Sequence, residues 1–175
     1  MWAKQKHQQA GFTIVELLIV IVVIGILAAI SIVAYNGVQQ RARNSTTISA
    51  VKDYIKLYSS YAVDYDVYPG SGNYCLGTGY AGGLCWDNRT YVENAAANTG
   101  LLNYAKNLPS PSTYRVYRNA TDGSRAGILF VAPNNLRYQL EGVDTQCGIP
   151  GATRGFTAGE SLGPECNITV PDPAL

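Results

Sequence analysis

Histidine is almost missing from this chain of 175 residues, and the single one, His7, falls among the first ten. The usual general base is therefore absent from everything that follows, which sets aside Ser-His-Asp triads and histidine-held metals. Charge is also scarce: 14% of residues are charged against 47% hydrophobic, and 13 Lys and Arg offset 12 Asp and Glu to leave a formal +1. A surface so balanced cannot neutralise a run of phosphates, so nucleic acid is not an expected partner. Methionine occurs once, beside 18 Gly, 8 Pro and 13 Tyr, which suits a loop-rich domain packed with phenols. The length favours one modest domain and is too short for two full domains plus a membrane anchor. No phosphate loop or nucleotide fingerprint occurs, since Gly77-Thr78-Gly79 is not followed by a helix with a lysine. No catalytic residue, metal or cofactor is expected.

The largest gap in charge lies between Glu16 and Arg41. Positions 17 to 40 would make about 36 Å of helix, enough to cross a hydrocarbon core of about 30 Å. Leu17 to Ile30 is apolar on every face, with only Gly25 interrupting Leu, Ile, Val and Ala. A soluble amphipathic helix would show two faces, and a domain of this size cannot wrap such a helix on all sides, so a membrane segment is expected. Ahead of it, Met1 to Ala10 carries Lys4, Lys6 and His7, a short basic leader like the n-region of an export signal. Ala28-Ala29-Ile30-Ser31 offers an ordinary signal-peptide site, but Gly11 followed by Phe12-Thr13-Ile14-Val15-Glu16 is more specific.

The string from Gly11 through Glu16 and the apolar run to Ile30 resembles the start of type IV pilins and of the pilin-like subunits of type II secretion and DNA-uptake machines. The resemblance covers about the first fifty residues. It implies cleavage between Gly11 and Phe12 by a membrane-embedded prepilin peptidase, which would then methylate the new amine of Phe12. Gly11 would be small to admit the peptidase to its carbonyl. Glu16 needs a partner, because an acid near a spanning helix costs roughly 2.5 to 3.5 kcal/mol at the helix centre. The resemblance supplies one, the Phe12 amine of an adjacent subunit, and such a pair would specify stagger more than stability. The helix macrodipole favours an acid at that end in any case. Val33 stands where many type IV pilins carry a helix-disrupting proline, so the helix is expected to run on unbroken.

Beyond Arg41 and Arg43 the pattern turns amphipathic. Val51, Tyr54, Tyr58, Tyr61, Tyr65 and Tyr68 fall three and four apart beside Ile48, Ile55 and Ala62, while Lys52, Asp53 and Lys56 take the solvent side. One helix from Phe12 to about Asp64 follows, ended by Val67-Tyr68-Pro69-Gly70. Gly70 to Gly83 reads as an irregular loop, and Val92 to Ala97 and Leu101 to Leu108 as short helical stretches. Tyr114 to Asn119, Gly127 to Ala132 and Leu136 to Glu141 alternate and are separated by turn-formers, which predicts an antiparallel meander. In the last run Leu136, Tyr138 and Leu140 face one way and Arg137, Gln139 and Glu141 the other. No regular element is predicted from Gly142 onward. The class is α+β, a long N-terminal helix packed on a small antiparallel sheet with a loop-rich, disulfide-stapled C-terminal region.

Cys75, Cys85, Cys147 and Cys166 are an even number beyond the membrane segment, which fits disulfides on an oxidising side. Of three pairings, Cys75 with Cys85 and Cys147 with Cys166 close local loops; the second also matches the disulfide-bounded region of many type IV pilins. Four-cysteine zinc is disfavoured because no C-x-x-C pair occurs. Asp64 with Asp66, or Asp122 with Glu141 and Asp144, could be offered as calcium ligands, but no D-x-D-x-D-G loop supports them and solvated carboxylates are the default. N-x-[ST] matches at Asn44, Asn88, Asn119 and Asn167 would mark exposed loops at most.

The expected organisation is a leader at 1–11, a transmembrane and filament-core helix at 12–40 and a globular head at 41–175. The resemblance implies a structural subunit, not an enzyme, held as a single-pass protein in the cytoplasmic membrane and displayed afterwards in an extracellular, cell-surface pilus. Its partners would be copies of itself and related pilins in a helical filament, the prepilin peptidase, an inner-membrane assembly platform and, before assembly, membrane lipid. The rivals are a pseudopilin of a type II secretion or competence machine, and a membrane-anchored binding domain, for instance for sugars through its tyrosine-rich loops, that does not polymerise.

Overall fold

The computed structural model describes residues 12–80, 85, 91–111, 127–142, 146–155 and 163–171. Helix α1 spans Ile14–Tyr65, 52 residues without a break at Gly25, Val33 or Gly37. With no proline to interrupt it, the backbone ladder continues even through the six β-branched residues Ile19 to Ile24. The chain divides into two compact units, Met1–Gln39 and Gln40–Leu175, and α1 contributes to each.

In the second unit, residues 40–65 of α1 pack on a five-stranded antiparallel sheet, giving an α+β fold. The strands are β1 (Tyr74–Leu76), β2 (Ile128–Val131), β3 (Asn135–Gln139), β4 (Thr153–Arg154) and β5 (Glu165–Thr169), in the order β1-β2-β3-β5-β4. The register sets Phe130 opposite both Tyr74 and Leu136, and Tyr138 opposite Cys166. Period-two alternation then turns Leu136, Tyr138, Cys166 and Ile168 toward the helix, where Val51, Tyr54, Leu57 and Tyr58 complete the core. The meander holds at β2 and β3; its first run, Tyr114 to Asn119, lies outside the described residues.

Several expectations are corrected. The region after Gly142 contains β4 and β5, and β5 alternates cleanly, with Cys166 and Ile168 buried between Glu165, Asn167 and Thr169. Tyr74–Leu76 in the glycine-rich loop is a strand, buried at all three positions and thus without any alternation to read. The two short helical stretches are one, α2 (Ala95–Leu101), because the Asn94 side chain accepts the Ala97 N–H at 3.0 Å and starts the helix there. Val92 and Glu93 are extended ahead of it, with Glu93 bridged to Cys75. The tyrosine stripe leaves the core before its end: Tyr65 is 54% exposed. A stripe repeating every 3.5 residues drifts by about 20° per heptad on a straight helix, and Tyr65 is two heptads from Val51. On β3, Gln139 is buried rather than solvent-facing, its amide donating to the Gly163 carbonyl at 3.4 Å. Gly163 itself passes so close to β3 that a Cβ would sit 1.7 Å from the Leu140 carbonyl oxygen, leaving no room for any side chain.

The disulfides join Cys75 to Cys85 and Cys147 to Cys166. Each closes a local loop, worth roughly 2 to 4 kcal/mol in the loop-entropy model. A polar tie holds the other end of the sheet. The Glu141 carboxylate accepts two parallel bonds from Arg43, Nε to Oε1 at 2.7 Å and Nη2 to Oε2 at 2.8 Å. Its backbone is held as firmly: Gln40 and Asn44 amides donate to the Glu141 carbonyl at 2.8 and 2.9 Å, and the Glu141 N–H donates to Asn44 Oδ1 at 2.8 Å. Glu141 is thus neither a solvated carboxylate nor a free calcium ligand.

The core phenols form a chain in which Tyr58 donates to Tyr74 at 2.7 Å and Tyr74 donates to the Pro69 carbonyl. Phe130 stacks on both rings at 5.1 Å. Burial raises the Tyr74 and Tyr138 phenols to about 12, and pushes Tyr54 and Tyr58 well above the ordinary phenol value. Unfolded tyrosine ionises near 10, so above that pH the unfolded state releases protons that the folded state retains. The contribution of these groups to stability is complete below pH 10 and declines as pH rises toward 12. Absorbance at 295 nm is expected to show the buried phenols ionising only together with loss of far-UV circular dichroism. Glu141→Ala is expected to cost about 2 to 3 kcal/mol in chemical denaturation, because a forked, partly buried guanidinium loses its partner.

Candidate assembly site on the N-terminal helix

Every side chain from Phe12 to Val38 is exposed in the first unit. The apolar ones lie around the whole circumference, from Ile14 at 79% to Leu18 at 52% and Val33 at 75%. Among the described residues, α1 is long and apolar enough to cross a membrane. Its one aliphatic hydroxyl between Leu17 and Gln40, that of Ser31, donates back to the Leu27 carbonyl at 2.7 Å, which hides a donor that lipid could not satisfy. At Gly25 no described residue outside the helix's own backbone lies within 4 Å of a Cβ position, so its smallness serves no packing among the described residues.

The helix start is built by two residues. Thr13 precedes the first helical residue, and its carbonyl accepts the Leu17 N–H at 3.3 Å. The Glu16 N–H donates to Thr13 Oγ1 at 3.3 Å, while Glu16 Oε2 accepts the Thr13 N–H at 2.8 Å and the Thr13 hydroxyl at 2.7 Å. This is a reciprocal capping box, satisfying donors that a helix N-terminus leaves open. Glu16 is therefore held at the positive end of the macrodipole within its own chain. Thr13 is not among the site residues expected from the sequence, although Thr-x-x-Glu ahead of an apolar run is the signature of such a box. Phe12, one residue earlier, is 85% exposed; Gly11 lies outside the described residues.

The other carboxylates do not converge. Asp64 accepts the Tyr104 hydroxyl, and that bond raises the phenol to about 12. Asp66 adopts φ 55°, the left-handed turn that ends α1. Asp122 and Asp144 lie outside the described residues, and among those described no three His, Cys, Asp or Glu come together as metal ligands. Asn44 is buried inside α1 and Asn167 sits in β5, so neither marks an exposed loop; Asn88 and Asn119 lie outside the described residues. The loop tyrosines turn inward: Tyr74 is in the core, and Tyr80 donates to the Leu76 carbonyl at 2.7 Å.

Residues 6–32 match the family model described as the prokaryotic N-terminal methylation motif. The chain thus carries that motif at its N-terminus. It is 27% identical over 119 residues to the type IV wide pilus major component PilA4 of Thermus thermophilus, covering 51% of this chain and 91% of that protein. It is 41% identical over 64 residues to the fimbrial protein EcpC of Eikenella corrodens, covering 37% of this chain and 42% of that protein. Over 65 residues it is 32% identical to the type II secretion system core protein G of Aeromonas hydrophila, covering 37% and 46%. The chain thus spans nine-tenths of the Thermus relative but less than half of the other two. No solved structure matches.

Residues 12–38 of the chain are the part whose side chains are all exposed despite being mostly apolar. A chain beginning at Gly37, one turn ahead of the second unit, is expected to be soluble without detergent and to keep both disulfides and a cooperative unfolding transition. Aggregation of that chain in detergent-free sedimentation would show that the second unit also depends on the apolar segment.

Proposed function

We propose that this chain is a structural subunit of a type IV pilus filament, trimmed after Gly11, N-methylated on Phe12 and polymerised through the helix beginning at Ile14. The observation that carries the reading is an all-round apolar helix with one acid at its start. Before assembly that surface is matched by lipid, and afterwards by the same surface of sister helices. Moving from lipid to a helix bundle gains little hydrophobic free energy, because lipid tails are as apolar as leucine. Extraction from the membrane must therefore be driven, and an assembly platform is the partner that the reading requires. Once the bundle stands in water the balance changes: each exposed Leu, Ile or Val would cost about 1.5 to 3 kcal/mol, so the filament does not shed subunits.

The pair between Glu16 and the Phe12 amine of a neighbouring subunit sets the stagger. Two unpaired ions in a low-dielectric bundle are far less stable than one matched pair, and only one axial register brings them together. The prepilin peptidase creates the amine that makes this pair available. On this reading the protein is single-pass in the cytoplasmic membrane before assembly and on the cell surface in the pilus after it. Similarity to the Aeromonas core protein G favours a second reading within the same chemistry, a pseudopilin of a secretion machine. The inward-turned Tyr74 and Tyr80 count against an anchored sugar-binding module.

Mass spectrometry of the purified protein is expected to find an N-terminus at methylated Phe12. Glu16→Ala is expected to abolish surface fibres while leaving the chain cleaved and membrane-bound. A product starting at Met1 or beyond Ala28 would refute the assignment. Loss of secretion without loss of fibres on gene deletion would select the pseudopilin reading.

A further inference from the structure

Resting on the filament reading above, we propose that Thr13 is the positioning residue of the assembly site, fixing both members of the intersubunit pair. Glu16 Oε2 takes the Thr13 hydroxyl at 2.7 Å and its N–H at 2.8 Å, which pins the carboxylate against the first turn. Among the described residues Oε1 accepts no hydrogen bond, so one oxygen remains for a donor from another chain. On an exposed helix a free glutamate side chain would sample several rotamers, and confining it on pairing would oppose assembly. The Thr13 hydroxyl removes that freedom beforehand and also lessens the cost of keeping an acid beside lipid until the neighbour arrives.

The same residue acts on the other charge. Thr13 is the N-cap, so it defines where the helix begins, and the Phe12 nitrogen is its immediate neighbour in the chain. An N-methylated amine keeps two N–H donors, and their position relative to the helix axis depends on that first turn being closed. Thr13 is β-branched, which restricts its χ1 and favours one placement of the hydroxyl. A register signal needs both charges at fixed heights, and one threonine holds the two.

Three substitutions in the full-length chain separate this role from simple helix capping. Thr13→Ser keeps the hydroxyl. Thr13→Gly keeps the backbone N–H and is nearly as good an N-cap, but has no hydroxyl. Thr13→Val keeps the shape alone. Sheared surface fibres are counted, and mass spectrometry of the membrane fraction scores cleavage and methylation at Phe12. The expected result is normal processing in all three, fibre yield within about two-fold of wild type for Thr13→Ser, and about ten-fold lower or worse for Thr13→Gly and Thr13→Val. Wild-type yield from Thr13→Gly would overturn the inference alone, leaving the filament reading intact. Loss of cleavage or methylation in Thr13→Gly would also overturn it, since the residue would then be read by the peptidase. Absence of fibres from the wild-type chain would overturn both.

Discussion

A helix that is apolar around its full circumference cannot be satisfied by its own chain. That constraint governs the N-terminal segment of this protein. A soluble helix exposes one face and buries another, whereas here Leu18 and Ile19 are as open as Val22 and Ile26. The environment must therefore be supplied from outside, by lipid or by identical surfaces. A continuous cylinder of Leu, Ile and Val is compatible with both, as the filament reading proposed above requires. Specificity cannot come from that surface, because one apolar register is nearly as good as the next. It has to come from polar groups, and within positions 12–38 the only acidic or basic side chain is Glu16.

The capping box gives that acid partners within its own chain. In the bilayer an unsatisfied carboxylate would favour protonation or displacement toward the headgroups, and either would erase the register signal. Two donors from Thr13 keep it bound to the first turn, where the unpaired N–H groups of the helix end add a favourable field. On the filament reading proposed above, the carboxylate is thus held in place within one subunit before a neighbour arrives.

Much of this was legible in the sequence, because its signals are of kinds that a single chain carries. The missing charge between Glu16 and Arg41 defines the apolar segment, and between turn residues β3 follows from its alternation; β2, which reads as a short apolar run, is buried at three successive positions without alternating. What was not legible depended on contacts distant in sequence. Tyr74–Leu76 is buried on all sides through pairing with β2, more than fifty residues away, so it has no polar face to alternate with. The β5 strand does alternate, but it lies in a stretch dominated by glycine and proline whose order comes from β3 and the Cys147 to Cys166 bond. Asn44 reads locally as a surface residue in a polar helical turn; it is buried because Glu141 arrives from the end of β3 and pairs with it.

The tie at Glu141 also explains why the second unit's part of α1 is polar where it begins. The core of phenols and aliphatics begins near Ala50, and the segment from Gln40 to Asn44 has no comparable apolar face. Hydrophobic packing could not fix the chain leaving β3 against those residues. A forked Arg43 contact and a two-way Asn44 pairing can, since each has one geometry and an unsatisfied partner on either side would be costly. A polar clamp has a further advantage at this point of α1. It keeps Gln40, Arg43 and Asn44 partnered just after residues 12–38, all of whose side chains are exposed.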